Sequence, residues 1–410
     1  GPWLRGMDNV SPDHAVAKDA LRTAVNCDVL DDGTVRTRTG LTARAAGASH
    51  SVWSDGQALY AVVADVLTRY TRSVSGALTG QALRTGMSPD LPLAYETVGS
   101  EVFYSNGSVT GKVVAGVHRP WGVERPSGQP VLTATGSGAL YAGRYQVAVT
   151  FVDSLGEESG TGPLAAVSVA AGGGIQLTQI PQPVDAGVSK IRIYVSEANG
   201  EVLYRYGDYA VGALSLTVSR SSTLGQVLST QFLLPPVPGH ILESYNGRLY
   251  IGRSNLVYFT EPGRYGAMKQ TNYFAFEDEV RLIQDGGTGL WVATASRTYI
   301  LQGKEPAGFE LIEKLPYGAP RGQAVELPGG KLFWMSAQGP VVASLQGELE
   351  DLSDDEGEPL ARIAVDDYAR GSAVVRDNKG VRQVIAAMGG GIASELGSQD
   401  FFDIEIIRKT

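Results

Sequence analysis

The sequence predicts an all-β molecule: a β-propeller-like domain interrupted by an inserted β-sandwich of immunoglobulin or fibronectin-III type. Three observations predict it. The 410 residues include 52 Gly and 20 Pro but only 19 % charged residues, a balance that favours many turns and short strands over long helices. One hairpin unit recurs along the chain. Two proline-rich stretches then bracket a region whose strands are longer and differently spaced.

The clearest hairpin unit is 245–262, YNGRLYIGRSNLVYFTEP. Tyr245-Asn246-Gly247 is a turn, 248–251 a strand, 252–255 a second turn and 256–260 a second strand. Asn-Gly supplies the positive φ angles of a tight hairpin. The aliphatic and aromatic residues between the turns suit a pleated sheet.

In chain order, Gly1-Pro2, with no initiator Met, reads as a tag remnant or a trimmed start and is left out of the fold argument. Residues 12–24 form the best short-helix candidate in this half, with Ser11 as N-cap. A strand follows over 25–29, a turn at Asp31-Asp32-Gly33, and an alternating edge strand over 34–39 that ends at Gly40. The repeat begins near Val52, with strands over 58–63 and 66–70. A second copy places strands over 95–98, 101–105 and 109–114, with Asn106-Gly107 as a turn. After 245–262, further copies fall at 289–293 with 298–301, at 330–335 with 341–345, and at 381–388. Most share aromatic positions as well as turns, which ranks a propeller ahead of an unspecific set of hairpins. The tail over 401–407 alternates and is expected to complete a blade.

The stretch 120–130, PWGVERPSGQP, reads as a linker, and 234–239 as its counterpart on return. Between them, strands are expected over 141–153, 164–169, 175–177, 190–195, 203–208 and 214–218. The division is 3–125 for the first part of the propeller, 128–234 for the sandwich and 239–410 for the second part. Removing about 110 residues leaves about 300, enough for six or seven blades at roughly 40–45 residues each.

Composition narrows function. A net charge of -9 argues against a protein that grips nucleic acid through its phosphates. Cys27 stands alone, so no intrachain disulfide or cysteine-based metal site can form, which suits a reducing cytoplasm. No signal peptide is recognisable, and no run reaches the ~18 apolar residues of a membrane helix.

A family resemblance rests on ordered phrases. Gly6, Met7 and Asn9 are followed by Ala24-Val25-Asn26-Cys27-Asp28, then Asp32-Gly33, then Arg36-Thr37-Arg38-Thr39-Gly40. This order resembles the N-terminal segment of tailed-bacteriophage tail proteins of the nozzle or hub type, with Thr39 where that family usually has Pro. YQVAVTFVDSLGEESG and KIRIYVSEANGEVLYRYGD resemble the family's sandwich domain, and 240–265 resembles its return to the propeller. The resemblance implies a structural virion protein of short-tailed phages, assembled in the host cytoplasm. It implies a homo-oligomeric ring, a hexamer, docked below a head-to-tail adaptor or portal assembly. Tail fibres or spikes would sit on its side, and genomic DNA would pass through its centre without sequence-specific binding. It implies no enzyme activity and no cofactor. Two alternatives stay open: a receptor- or carbohydrate-binding propeller at the tail periphery, and a polysaccharide-degrading propeller.

His14, His50, His118 and His240 have no ligand-spaced partner, so no metal site is expected. Gly107-Ser108-Val109-Thr110-Gly111-Lys112 imitates a phosphate loop but is one residue short and lies between strands, so it reads as a hairpin turn. Asp351, Asp354, Asp355, Glu356 and Glu358 fail the spacing of a calcium loop and read as solvated. Facing an axial channel, they would repel DNA phosphates. Tyr250, Tyr258, Phe259, Trp291, Phe333 and Trp334 could line a sugar site, but their place inside repeated strands points to core packing. Carboxylate pairs for glycoside hydrolysis stay open, because separation in space is not written in the sequence.

Overall fold

A hairpin leaves its outer edges unpaired, and the chain adds strands to those edges until four lie side by side. In the computed structural model this produces five antiparallel four-stranded meanders. The structure describes residues 48–221, 225–322 and most of 324–359, the strands at 27–29, 35–37, 370–378, 381–389 and 402–407, and scattered positions before 48.

Blade one comprises Ser49–Ser54, Leu59–Val63, Val66–Arg72 and Leu78–Arg84. Blade two comprises Ala94–Val98, Glu101–Ser105, Thr110–Val114 and Val117–Arg119. Blade three comprises Ile241–Tyr245, Arg248–Arg253, Leu256–Phe259 and Tyr273–Ala275. Blade four comprises Val280–Asp285, Gly289–Thr294, Thr298–Gln302 and Glu310–Leu315. Blade five comprises Val325–Leu327, Lys331–Ser336, Gly339–Ala343 and Leu349–Asp351. A sixth sheet is built from Arg370–Asn378, Val381–Gly389 and Phe402–Ile407, with Arg321–Gly322 parallel to the first of these. The tail strand pairs with Val381–Gly389 and so forms the outer edge of the last sheet.

Several neighbouring sheets meet along their first strands, while blades one and two touch through Leu78–Arg84 and Val117–Arg119. Ala94–Val98 packs on Ile241–Tyr245, which packs on Val280–Asp285, and Val325–Leu327 packs on Arg370–Asn378. This radial arrangement is that of a propeller, with the first strand of each blade innermost.

The sandwich occupies the chain between blades two and three. Its first sheet holds Val131–Leu140, Gly173–Thr178 and Ser215–Val218. Its second runs in the order Ala165–Val169, Gly143–Asp153, Val188–Ser196, Leu203–Ala210. Alternation directs Tyr145, Val147, Val149 and Phe151, and Ile191, Ile193 and Val195, into one core against Ile175, Leu177 and Val218. The opposite face of the second sheet carries a polar network. There Arg192 bonds Asp208 and Glu158, and the Tyr194 hydroxyl donates to Glu158.

The proline-rich connections are packed against the blades. Trp121 is 2 % exposed and its indole N–H donates to the Tyr265 carbonyl at 2.8 Å. A Cβ on Gly122 would lie 2.2 Å from the Gly266 oxygen, so only glycine lets these two backbones touch. On the return, the Gly239 N–H donates to the Ser105 hydroxyl and its carbonyl accepts from Gly107 N–H. Pro here shapes a packed crossing, and the bulky Trp in its midst supplies the anchor.

At the N-terminus the helix expected over 12–24 is not formed at 14–21. Two separate turns stand there, closed by Ala15 N–H to Pro12 O and Ala20 N–H to Ala17 O. Of the side chains described there only Ala20 is buried, so no apolar stripe repays helix nucleation. Within the two expected strands, Cys27–Val29 and Val35–Thr37 are strand and pair antiparallel. Gly6, Met7, Asn9, Val25, Asn26 and Arg38 lie outside the described residues.

Candidate functional site

Register exposes an equivalence between blades. The second strand of each meander carries an aliphatic residue and then an aromatic one: Leu59-Tyr60, Val102-Phe103, Leu249-Tyr250, Leu290-Trp291 and Leu332-Phe333. Several of these aromatics pack towards the next blade. Tyr60 meets Tyr95 at 6.2 Å between ring centroids, and Trp291 meets Trp334 at 5.6 Å. Phe103 packs with Leu242, Leu249 and Ile251 of blade three, and Tyr250 with Phe309 beside blade four.

Directly opposite these aromatics on the first strands stand Trp53, Glu96, Glu243, Gln284 and Val325. Three consecutive inner strands therefore place polar side chains at one level. The Ser244 hydroxyl donates to Glu96 Oε1 at 2.6 Å. Gln284 Nε2 and the Asp285 backbone N–H both donate to Glu243 Oε1, at 3.1 and 2.9 Å. Glu243 is 6 % exposed. Burial lifts Glu96 to about 7, pulled back in part by its bonds from Ser244. Burial, then the Glu96 charge, holds Glu243 well above the usual carboxylate range. Burial also raises Asp285. Among the described residues no cation pairs with any of the three.

A second feature is a cleft of about 320 Å³ at the outer junction of blades three and four. Phe259 and Phe274 form its floor, 5.3 Å apart, and the segment that carries Glu305, Pro306 and Ala307 forms one wall. That wall is tied down by Tyr245 Oη to Gly303 O and Asn246 Nδ2 to Lys304 O. The charged groups at its rim neutralise one another: Arg248 pairs with Glu305 at 3.0 Å and Lys269 with Glu261 at 3.4 Å. What remains for a ligand is aromatic surface and amide or hydroxyl chemistry, since no net charge is left over.

The residues singled out in the sequence are dispersed. Asp351 lies on the outermost strand of blade five, opposite Val341. Asp354 and Asp355 pair with Pro359 and Glu358 in a short separate hairpin, and Glu356 lies outside the described residues. The loop is thus remote in strand order from the inner acids, which sequence reasoning missed. Tyr250, Trp291 and Trp334 are buried between blades and Phe333 is buried, while Tyr258 and Phe259 are half-buried. The phosphate-loop imitation is a hairpin turn in which Asn106 Oδ1 accepts from the Ser108 and Val109 N–H groups. His118 Nδ1 lies 2.9 Å from the Tyr104 hydroxyl, His50 Nδ1 bonds Ser51, His240 Nε2 bonds the Val280 carbonyl, and His14 is exposed. Among the described residues no three His, Cys, Asp or Glu side chains are placed to hold a metal ion, and no helix is long and apolar enough to cross a membrane.

No protein-family model matches this sequence, and no curated protein matches it. Among solved structures, the extracellular domain of a putative one-component system from B. thetaiotaomicron aligns over 92 % of this chain and 62 % of its own, with 11 % identity and a TM-score of 0.24. The AfRom2 CNH domain aligns over 83 % and 90 %, with 6 % identity and a TM-score of 0.27. PorZ of the Porphyromonas gingivalis type-IX secretion system aligns over 88 % and 45 %, with 10 % identity and a TM-score of 0.22. The chain spans less than two thirds of the first and third of these. At such scores the likeness carries no argument about function, and the fold rests on the strand order described above.

Proposed function

We propose that this chain is a structural subunit of a phage tail, a nozzle or hub protein that forms a ring around the DNA path and retains and releases the genome. One observation supports the reading most: a propeller broken once, between its second and third blades, by a sandwich fixed rigidly to both sides of the break. The three-part order is the one that the phage-tail resemblance implies. A wall protein needs stiffness more than a reactive centre. Stiffness comes from the aromatic contacts between blades and from the packed crossing at Trp121 and Gly122. The sandwich adds a lateral surface for fibres or neighbouring subunits.

Electron microscopy of the purified full chain tests the proposal. The expected result is a closed ring with an open axial channel. A population of monomers, or a fibre-like trimer, overturns it.

A further inference from the structure

Alternation along two paired strands builds one wall of the outer cleft between blades three and four. Val257 stands opposite Phe274, and the Phe259 N–H donates to the Asn272 carbonyl one step further on. Phe259, Asn272 and Phe274 therefore share a face. Both rings are half-buried, so part of each aromatic surface stays open to the cleft. Asn272 is 8 % exposed, yet half of its amide is unused. Its Nδ2 donates to Glu261 Oε1 at 2.8 Å, which fixes the amide's orientation, since an ionised carboxylate only accepts. Its Oδ1 has no donor among the described residues, on the wall of the cleft. An amide oxygen withdrawn from bulk water is costly unless water or a ligand supplies that donor.

The rest of the rim narrows the ligand. Arg248 spends its guanidinium on the Thr260 carbonyl, on Glu305 and on the face of Phe259, so it is not free to hold an anion. Glu261 and Glu305 are each matched by a cation. An ionised carboxylate accepts up to about four hydrogen bonds, so both keep acceptor capacity after pairing. The cleft thus offers an aromatic floor, an acceptor-rich rim and no net charge.

We propose that this cleft binds an uncharged saccharide, with one pyranose ring lying on Phe259 and Phe274 and its hydroxyls donating to Asn272 Oδ1 and the rim carboxylates.

Such a ring brings what the cleft lacks: an apolar C–H face for the aromatics and several O–H donors around its edge. An aromatic peptide side chain would cover the floor but bring at most one donor. The volume of about 320 Å³ lies at the small end of the roughly 300–1,000 Å³ of ligand pockets, which suits a short sugar unit. The site does not rest on the phage-tail reading, and its test succeeds or fails whether or not the chain forms a ring.

The test is saturation-transfer NMR on the full chain with three uncharged disaccharides, maltose, lactose and diacetylchitobiose, and with N-acetyltyrosinamide as a peptide-like control. The expected result is transfer to the ring protons of at least one disaccharide, stronger than to the control. Ala307→Trp fills the cleft from an exposed position on its wall and should abolish that transfer with the thermal midpoint unchanged. Phe274→Ala should weaken binding about tenfold. No transfer to any of the three sugars, transfer to the tyrosine amide alone, or undiminished transfer in Ala307→Trp overturns the proposal. Should Phe274→Ala fail to fold, Ala307→Trp decides, because the short turn that carries it buries no residue.

Discussion

Single residues carry the blade contacts. Trp291 is wholly buried, its ring lies against Trp334, and its indole N–H has no hydrogen-bond partner among the described residues. Gly286 leaves the room for that ring, since a Cβ there would stand 2.7 Å from the indole nitrogen. Trp291→Ala should therefore destabilise the chain by about 3–5 kcal/mol, through lost contacts and a cavity between blades four and five. Trp291→Phe should cost less, because no hydrogen bond is forfeited. Denaturant unfolding of both variants gives the comparison, and equal losses would show that the ring is not packed as described. At this scale the sequence was partly legible. Asn246 and Gly247 adopt φ of 45° and 75°, as their pairing in a tight hairpin requires. The aromatics were readable as packing. Glu96 and Glu243 were not, because a lone Glu in a short strand looks like a solvent-facing residue. The available signal was alignment of the hairpins, which sets AYETV beside ILESY with Glu at the matching position.

Elements were legible where strands are apolar and obscure where they are polar. The second and third strands of the blades stand out because Leu, Tyr, Trp and Val fill them. The outer strand Leu78–Arg84 is mostly exposed and reads as a loop. The sandwich strand Val131–Leu140 is rich in Thr, Gly and Ala and was hidden for the same reason. The attachment of the sandwich was hidden too, since it depends on contacts distant in sequence. Lys112 of blade two is 1 % exposed and pairs with Glu157 of the sandwich at 2.6 Å and with Glu101 at 3.4 Å. Burial raises Glu157, and the Lys112 contact pulls it partly back. Removing either partner has unequal consequences. Glu157→Ala strands a buried ammonium on Glu101 alone, at a cost near the lower end of the roughly 3–5 kcal/mol for an orphaned buried charge. Lys112→Met replaces the cation with an apolar chain and leaves Glu157, which is 33 % exposed, free to turn towards water. The second variant should be the more stable in denaturant unfolding at neutral pH. The reverse order would show that the lysine contributes more than charge compensation.

The whole molecule is an acid, and several of its arginines are paired with carboxylates. The formal net charge is -9 per chain, and the proposed ring would multiply it around its central path. Arg192 and Arg205 are engaged by Asp208, Arg248 by Glu305, Arg297 by Glu277 and Glu313, and Arg321 by Glu279. A surface that grips duplex DNA needs Lys and Arg free to displace counterions from phosphates. A surface that DNA must slide past needs the contrary, and repulsion between like charges acts over roughly 10 Å at 0.1 M salt. The proposed role therefore predicts an absence of adhesion. Duplex DNA mixed with excess protein at low salt should migrate unretarded in a native gel, where electrostatic binding would be at its strongest. A retarded band that disappears on adding salt would reveal a cationic face, and the chain would then have to be read as a DNA-gripping protein and not as the smooth wall of a channel.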